Sequence, residues 1–336
     1  MHYRAKIQLF IVSCEKIGRM NTFGRIFRVS VFGESHSGTL GCTIDGVPEG
    51  IELEASDFAA DIRRRAPGAA GTTERREEDI PQIISGLFDG HTTGAPLTIL
   101  FENKDVRDED YDQFDAVPRP GHADYTASVK WDWANDPRGG GMFSGRMTLP
   151  LVAAGVVAKK VLDGIRFSAK LLEVGDRKDW KQLLEKTAAE GDSLGGIVEC
   201  RVSGVPIGLG EPFFDSVESL ISHMVFSIPG VRGIEFGDGF RAAAMKGSEH
   251  NDPFGPEGPV KNGSGGVNGG ISNGSDIVFR VAFKPSSSIS LPQKTWNFKE
   301  ERECELKIAG RHDACFALRC PVIVEAAAAI VLADLV

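Results

Sequence analysis

Residues 25–32 alternate between apolar and polar, with Phe27, Val29 and Val31 on one face and Arg28 and Ser30 on the other. That is the period of a half-buried strand. Residues 167–174, 197–205 (through Val198, Cys200 and Val202) and 277–283 read the same way. Two apolar runs, 80–88 and 96–101, read as strands joined by a glycine-rich turn. Helices are predicted over 56–65, 125–133, 149–162, 179–189, 217–226 and 322–335. In the first, Ser56 serves as the N-cap, Asp57 lies in the first turn and Arg63, Arg64 and Arg65 lie in the last, which is ordinary helix-dipole complementarity. Pro67 and Gly68 stop it. Residues 247–270 are too rich in Gly, Pro and Asn to be regular and read as a long loop. No internal repeat and no composition shift marks a linker, so residues 20–336 read as a single domain.

Composition narrows the class. The 336 residues are 41% hydrophobic, enough for a full core, and carry a net charge of -9. An acidic chain of this kind is a poor partner for nucleic acid or an anionic membrane surface. Arginines nevertheless cluster, at Arg63–Arg65, at Arg75 and Arg76, and singly at Arg119, Arg138, Arg146 and Arg311. Local positive charge on an acidic protein suits a small polyanion. The six cysteines show no paired metal-site spacing and read as free thiols of a reducing cytoplasm, with no metal expected. No apolar run approaches the roughly 20 residues of a membrane span. The organised pattern begins at Met20, so residues 1–19 read as a mis-assigned or optional extension.

Chemistry-bearing residues gather in glycine-flanked stretches. In Arg119-Pro120-Gly121-His122-Ala123-Asp124, Pro120 stiffens the chain, Gly121 allows a sharp turn, and Asp124 is close enough to bias the protonation of His122. A strand end carries Gly33-Glu34-Ser35-His36-Ser37-Gly38. The run from Arg138 to Arg146 holds Gly139-Gly140-Gly141 ahead of a helix, where backbone N–H groups can face an anion, although it is neither a Walker loop nor a dinucleotide fingerprint. Lys284-Pro285-Ser286-Ser287-Ser288 offers a cation and hydroxyls suited to a phosphate. Taken alone, the first two read better as a loop histidine hydrogen-bonded to a neighbour and as a polar turn, and the glycine run also reads as a flexible linker entering a core helix. Their spread from residue 33 to residue 313 argues for one composite site.

Together, and in order, Gly33-Glu34-Ser35-His36, the hexapeptide 119–124, Gly247-Ser248-Glu249-His250-Asn251-Asp252, Gly269-Gly270-Ile271-Ser272, Lys284-Pro285 and Gly310-Arg311-His312-Asp313 resemble chorismate synthase over about residue 21 to the end. The resemblance implies an α+β fold, a β-α-β sandwich with helices between two antiparallel sheets. It implies a lyase that performs the anti 1,4-elimination of phosphate from 5-enolpyruvylshikimate 3-phosphate, giving chorismate in the shikimate pathway to aromatic amino acids. It further implies a need for reduced FMN, NADPH only if the protein reduces its own flavin, possession of a homotetrameric state, and otherwise an external flavin reductase as partner. By the same resemblance His36 acts at the leaving phosphate, His122 acts beside the reduced flavin, and Asp313 assists proton removal through the flavin N5. Ser144, Gly269, Lys284, Ser286, Ser287, Ser288 and Arg311 match FMN-binding positions, and Arg64 and Arg146 match substrate or NADP positions.

The chain also departs from the family pattern. Met142, Phe143 and Met147 stand where the family has arginine, serine and glutamate; Ser37 and Ala69 replace a glycine and an arginine; and Pro229-Gly230 replaces Asn-Ala. A lost charge-assisted phosphate contact costs about 1.5–3 kcal/mol. A second reading is therefore a catalytically impaired homologue that binds a phosphorylated ligand or a partner without turnover. A general flavin reductase is the weakest reading, because no nicotinamide fingerprint is present.

Overall fold

The computed structural model describes residues 21–68, 71–72, 77–104, 112–308 and 312–336. The extension 1–19 and its boundary at Met20 lie outside them, as do Ala69, Arg75, Arg76 and Arg311.

Two antiparallel sheets form the outer layers. The first contains β1 (Thr22–Phe23), β2 (Arg28–Gly33), β3 (Thr39–Asp45), β4 (Gln82–Ser85) and β5 (Leu97–Glu102), in the order β1-β2-β3-β5-β4. The second contains β6 (Arg166–Val174), β7 (Gly196–Ser203), β8 (Val231–Phe236) and β9 (Ile277–Phe283), in the order β8-β9-β7-β6. Along β9 the register runs Ile277↔Val202 through Phe283↔Gly196 on one side and Phe236↔Phe279 on the other, so Ile277, Phe279, Val281 and Phe283 all turn inward. The six main helices are α1 (Ala59–Arg65), α2 (Asp124–Lys130), α3 (Thr148–Val161), α4 (Lys181–Ala189), α5 (Val217–Val225) and α6 (Pro321–Asp334).

α3 and α6 fill the space between the sheets. α3 packs on β3, and α6 packs on β6 and β7. Every residue of α6 from Val322 to Asp334 is buried, as an all-round apolar helix requires. The helices approach closely because Gly155 of α3 faces Ala326 of α6: a Cβ at Gly155 would come within 2.6 Å of Ala326 Cα. Gly155→Ala is expected to cost about 1–3 kcal/mol by overpacking. A lower denaturant midpoint at unchanged slope would show it.

Two acidic residues on α6 are buried with full sets of partners. Asp334 Oδ1 accepts the backbone N–H groups of Arg25, Ile26 and Phe27 at 2.6, 2.6 and 2.9 Å. Glu325 accepts both terminal nitrogens of Arg64 at 2.8 and 2.6 Å, Lys159 Nζ at 3.1 Å and the Ala169 N–H at 2.8 Å.

Several boundaries differ from the sequence reading. The first helix begins at Ala55, as a 3-10 segment Ala55–Phe58 capped by Glu54 and not by Ser56, because the Asp57 carboxylate takes the Glu54 N–H at 2.8 Å. The run 80–88 is broken into β4 and the short strand Leu87–Phe88, which pairs with His91–Thr92. The loop 247–270 contains one helical turn, Gly247–His250, and small ribbons. β3, β8 and the hairpin of β10 (Gln293–Asn297) and β11 (Arg302–Leu306) have no counterpart in the sequence reading.

Candidate active site

Four loops converge at one end of the sandwich. The first follows β2 and carries His36. The second is the hexapeptide before α2. The third is the glycine run, where Gly139, Gly140 and Gly141 have φ of 59, 83 and 54°. Side chains rarely adopt such angles, so the run needs glycine. It also needs glycine for space. A Cβ on Gly139 would lie 2.5 Å from Ser35 Oγ and 2.6 Å from His36 Nε2, and one on Gly140 would lie 3.4 Å from His122 Nε2. The two histidines, 86 positions apart in sequence, thus face two consecutive glycines. The Ser35 N–H donates to Gly141 O at 3.2 Å, which joins the first loop to the third.

His122 is oriented by its own hexapeptide. Its Nδ1 lies 2.5 Å from Asp124 Oδ1. Asp124 is gripped in turn by Arg119, through Nη2 at 2.7 Å, Nε at 2.8 Å and the backbone N–H at 3.0 Å. The short contact assigns the Nδ1 proton to the Asp124 side and leaves Nε2 toward Gly140. Burial lowers the His122 pKa from its ordinary value; the Asp124 hydrogen bond opposes this, and the Arg119 charge adds to it. Despite burial, hydrogen bonds from Arg119 and His122 hold the Asp124 carboxyl well below the usual range.

The fourth loop, after β9, supports the hexapeptide. Lys284 Nζ donates to Gly121 O at 2.8 Å and also contacts Ser287 Oγ, which itself donates to Gly121 O at 2.8 Å. Arg119 Nη1 donates to Ser288 Oγ at 2.9 Å. Ser286 is fixed through its carbonyl, which accepts from Ser193 Oγ at 2.8 Å. The Lys284 N–H donates to Gly230 O at 2.8 Å, so Pro229-Gly230 forms the turn that brings β8 beside this loop. Burial and the nearby Arg232 charge lower the Lys284 pKa.

Asp313 accepts from Arg319 Nη2 at 2.8 Å. The following Phe316 ring would lie 2.9 Å from a Cβ on Gly145 and 3.8 Å from one on Gly230, which places this segment against the third and fourth loops. Ser144 caps the turn Gly145–Met147, with its Oγ accepting the Arg146 N–H at 3.2 Å.

The family model for chorismate synthase matches residues 27–336. A chorismate synthase of Chitinophaga pinensis is 58% identical over 318 residues, covering 94% of this chain and 96% of the relative. The chain belongs to the chorismate synthase family. A chorismate synthase of Korarchaeum cryptofilum is 43% identical over 346 residues, with 93% of this chain and 96% of the relative covered. A crystal structure of chorismate synthase superposes with a TM-score of 0.72 at 25% identity, covering 93% of this chain and 92% of that one.

Within this chorismate synthase scaffold some expected site residues lie apart. Gly269 sits on the hairpin of Val267–Asn268 and Ile271–Ser272, whose Gly270 carbonyl accepts the N–H of Val217 at the start of α5. That is the opposite end of the seven-residue strand β9 from Lys284, about 20 Å away. Arg64 is tied to Glu325 and Asp61. Arg146 is 6% exposed and spends its donors on protein groups: Asp79, Glu77 Oε2 at 2.8 Å and Asn103 Oδ1 at 3.0 Å. Arg311 lies outside the described residues.

Of the departures from the family pattern, Met147, Phe143 and Ser37 have structural roles. Met147 is buried in the main core. Phe143 packs against Trp131, with ring centroids 5.8 Å apart. The Ser37 hydroxyl accepts the Glu34 N–H at 2.9 Å and lies 2.9 and 2.6 Å from the Glu34 and Thr39 carbonyls, bracing the His36 loop where the family has glycine. Sequence reasoning did not single out Arg65, Asp79, Asn103 or Arg319. Arg65 looked like dipole complementarity, and the other three are single polar residues in stretches without a motif.

Proposed function

We propose that this chain eliminates phosphate from 5-enolpyruvylshikimate 3-phosphate with reduced FMN bound at the four converging loops, giving chorismate. The observation that carries the reading is the placement of His36 and His122 on two consecutive glycines, beside a set of cationic and hydroxyl donors. In the reaction the C–O bond to phosphate and a ring C–H bond break, and a new double bond forms, with no net redox change. The leaving phosphate needs a proton and charge neutralisation. His36 supplies the first, and Arg119 and Lys284 contribute to the second. Asp313, steadied by Arg319, assists removal of the ring proton.

The residues present fit the flavin. Gly139 lets the chain pass directly against Ser35 and His36, and Ser35 Oγ is buried there without a protein hydrogen-bond partner, free to meet a polar group of the cofactor. Lys284, Ser286, Ser287 and Ser288, together with Ser144, would hold the cofactor's polar groups. The reduced flavin, when bound, supplies electron density that eases phosphate loss. His122, with its Nδ1 proton toward Asp124, presents Nε2 to Gly140 of the same run.

Several finer points belong to the same reading. Residues 20–336 act as a single domain. A homotetramer is supported by the exposed Phe213, Phe214, Phe240 and Phe254, side chains that a lone chain would leave in water. The free cysteines fit the cytoplasm. Arg64 and Arg146 reach the substrate or NADP side only by giving up carboxylates they now hold.

An anaerobic assay with chemically reduced FMN and 5-enolpyruvylshikimate 3-phosphate, following chorismate absorbance and phosphate together, tests the reading. Both products should form at matched rates. Absence of both while the substrate binds would establish the impaired homologue instead. Replacing reduced FMN by oxidised FMN and NADPH distinguishes self-reduction from an external reductase.

A further inference from the structure

The segment bearing His36 is held from behind by a side chain that none of the site motifs contains. Asn103 follows directly after β5. Its N–H donates to Gly38 O at 3.1 Å, extending the β3–β5 ladder one bond into the loop. Its side-chain Nδ2 donates to Ser37 O at 2.7 Å and Glu34 O at 3.2 Å, one carbonyl on each side of the Ser35-His36 pair. Its Oδ1 accepts Arg146 Nε at 3.0 Å. One amide therefore fixes both flanks of the loop and fastens it to the turn that starts α3.

Arg146 is itself immobilised. It bonds Asp79 and Glu77, and Asp79 Oδ2 accepts Arg65 Nη2 at 2.8 Å. The side chains of Arg146, Glu77, Asp79 and Arg65 are 5%, 4%, 2% and 3% exposed. A buried ion cluster of this kind has little freedom to rearrange, since opening any pair leaves an uncompensated charge away from water. Asn103 joins that rigid cluster to a loop that is also held by the Ser35–Gly141 contact and the internal Ser37 turn.

We infer that Asn103 is a positioning residue for His36, which transmits the rigidity of the Arg146–Asp79–Arg65 cluster to the loop through its two Nδ2 hydrogen bonds. This rests on the proposed elimination reaction. A small displacement of a reacting group from its productive geometry can cost as much as about 10²-fold in rate.

Two variants separate the two ends of the amide. Asn103→Ala removes every side-chain bond; Asn103→Asp keeps an acceptor for Arg146 but loses both Nδ2 donors. Each is expected to lower kcat about tenfold or more, with KM for the phosphorylated substrate within about twofold. In both, amide hydrogen exchange should accelerate over residues 34–38 while the β3 amides stay protected. Asn103→Asp with wild-type kcat would overturn the inference, because the Arg146 contact alone would then suffice. So would unchanged exchange over 34–38, or a lowered melting temperature with unaltered kcat per folded molecule. Failure of the wild-type protein to turn over would count against the proposed reaction; the exchange experiment reads the positioning claim without any turnover.

Discussion

His122→Ala is expected to lower kcat by about 10²-fold or more, the usual contribution of a positioned acid or base. The reason is local and specific. Asp124 holds the Nδ1 side of the ring, Arg119 holds Asp124, and Ser288 and Lys284 hold Arg119 and Gly121. The ring is therefore presented in one orientation, with Nε2 toward Gly140. Alanine removes Nε2, the nitrogen proposed to react, but leaves the Arg119–Asp124 pair, so stability should change much less than turnover. Unchanged kcat in the anaerobic assay would remove His122 from the reaction.

The same residue sets a pH dependence. Burial lowers its folded pKa below the ordinary 6.5. As pH falls through 6.5, the unfolded chain takes up a proton that the folded chain resists, so this group's contribution makes the fold less stable until its lowered folded pKa is passed. Asp124 acts in the opposite sense and lower down. Its depressed pKa contributes stability that is complete above the usual carboxylate range and is lost as pH falls below it. A wild-type stability profile should therefore lose, in His122→Ala, part of its decline just below pH 6.5. Identical profiles in that window would contradict the assignment.

The largest effect on stability is expected at Asp334. Asp334→Ala strips the acceptor from the consecutive backbone N–H groups of Arg25, Ile26 and Phe27. Asp334 is 8% exposed and Phe27 is 1% exposed, so water replaces the bond to the Phe27 N–H poorly. At about 1–3 kcal/mol for the buried Phe27 N–H left unmade, and less for the part-buried Arg25 and Ile26 N–H groups, the loss should reach about 3 kcal/mol. The turn leading into β2 hangs on this residue, which ties the N-terminal edge of the first sheet to the end of the last helix. Denaturant unfolding measures it directly. A change below about 1 kcal/mol would mean that the three N–H groups find other partners.

Asp334 also shows where sequence reasoning stops. The final helix was plain from its apolar run, but nothing local distinguishes its terminal aspartate from a solvated one. Its partners are more than 300 residues away. The same holds for Asn103, whose role depends on a loop 66 positions earlier and an arginine 43 positions later. In the sequence the triple arginine 63–65 is one charged helix end. In the fold its members part: Arg64 turns to Glu325 on α6 and Arg65 to the buried Asp79. Helical rotation of about 100° per residue separates neighbours that a charge count lumps together.

What the sequence determined by itself was the set of chemical parts and their local form. It showed the patterns that make β2, β6, β7 and β9, the apolar helices α3 and α6, the stiff hexapeptide around His122, and glycines at many of the sharp turns. The ordered motifs also sufficed for the resemblance to the chorismate synthase family, whose two-sheet architecture the structure carries. These features depend on neighbours a few residues apart, which a linear reading sees. Only the tertiary structure decided which parts meet: that His36 and His122 face adjacent glycines, that Gly269 lies at the far end of β9, and that Arg146 is surrounded by carboxylates. It also decided that β3 and β8 are strands, because β3 is completed by partners on both sides and β8 by its ladder with β9. Those outcomes follow from long-range burial and pairing, in which each group's partner is chosen by the packing of the whole core.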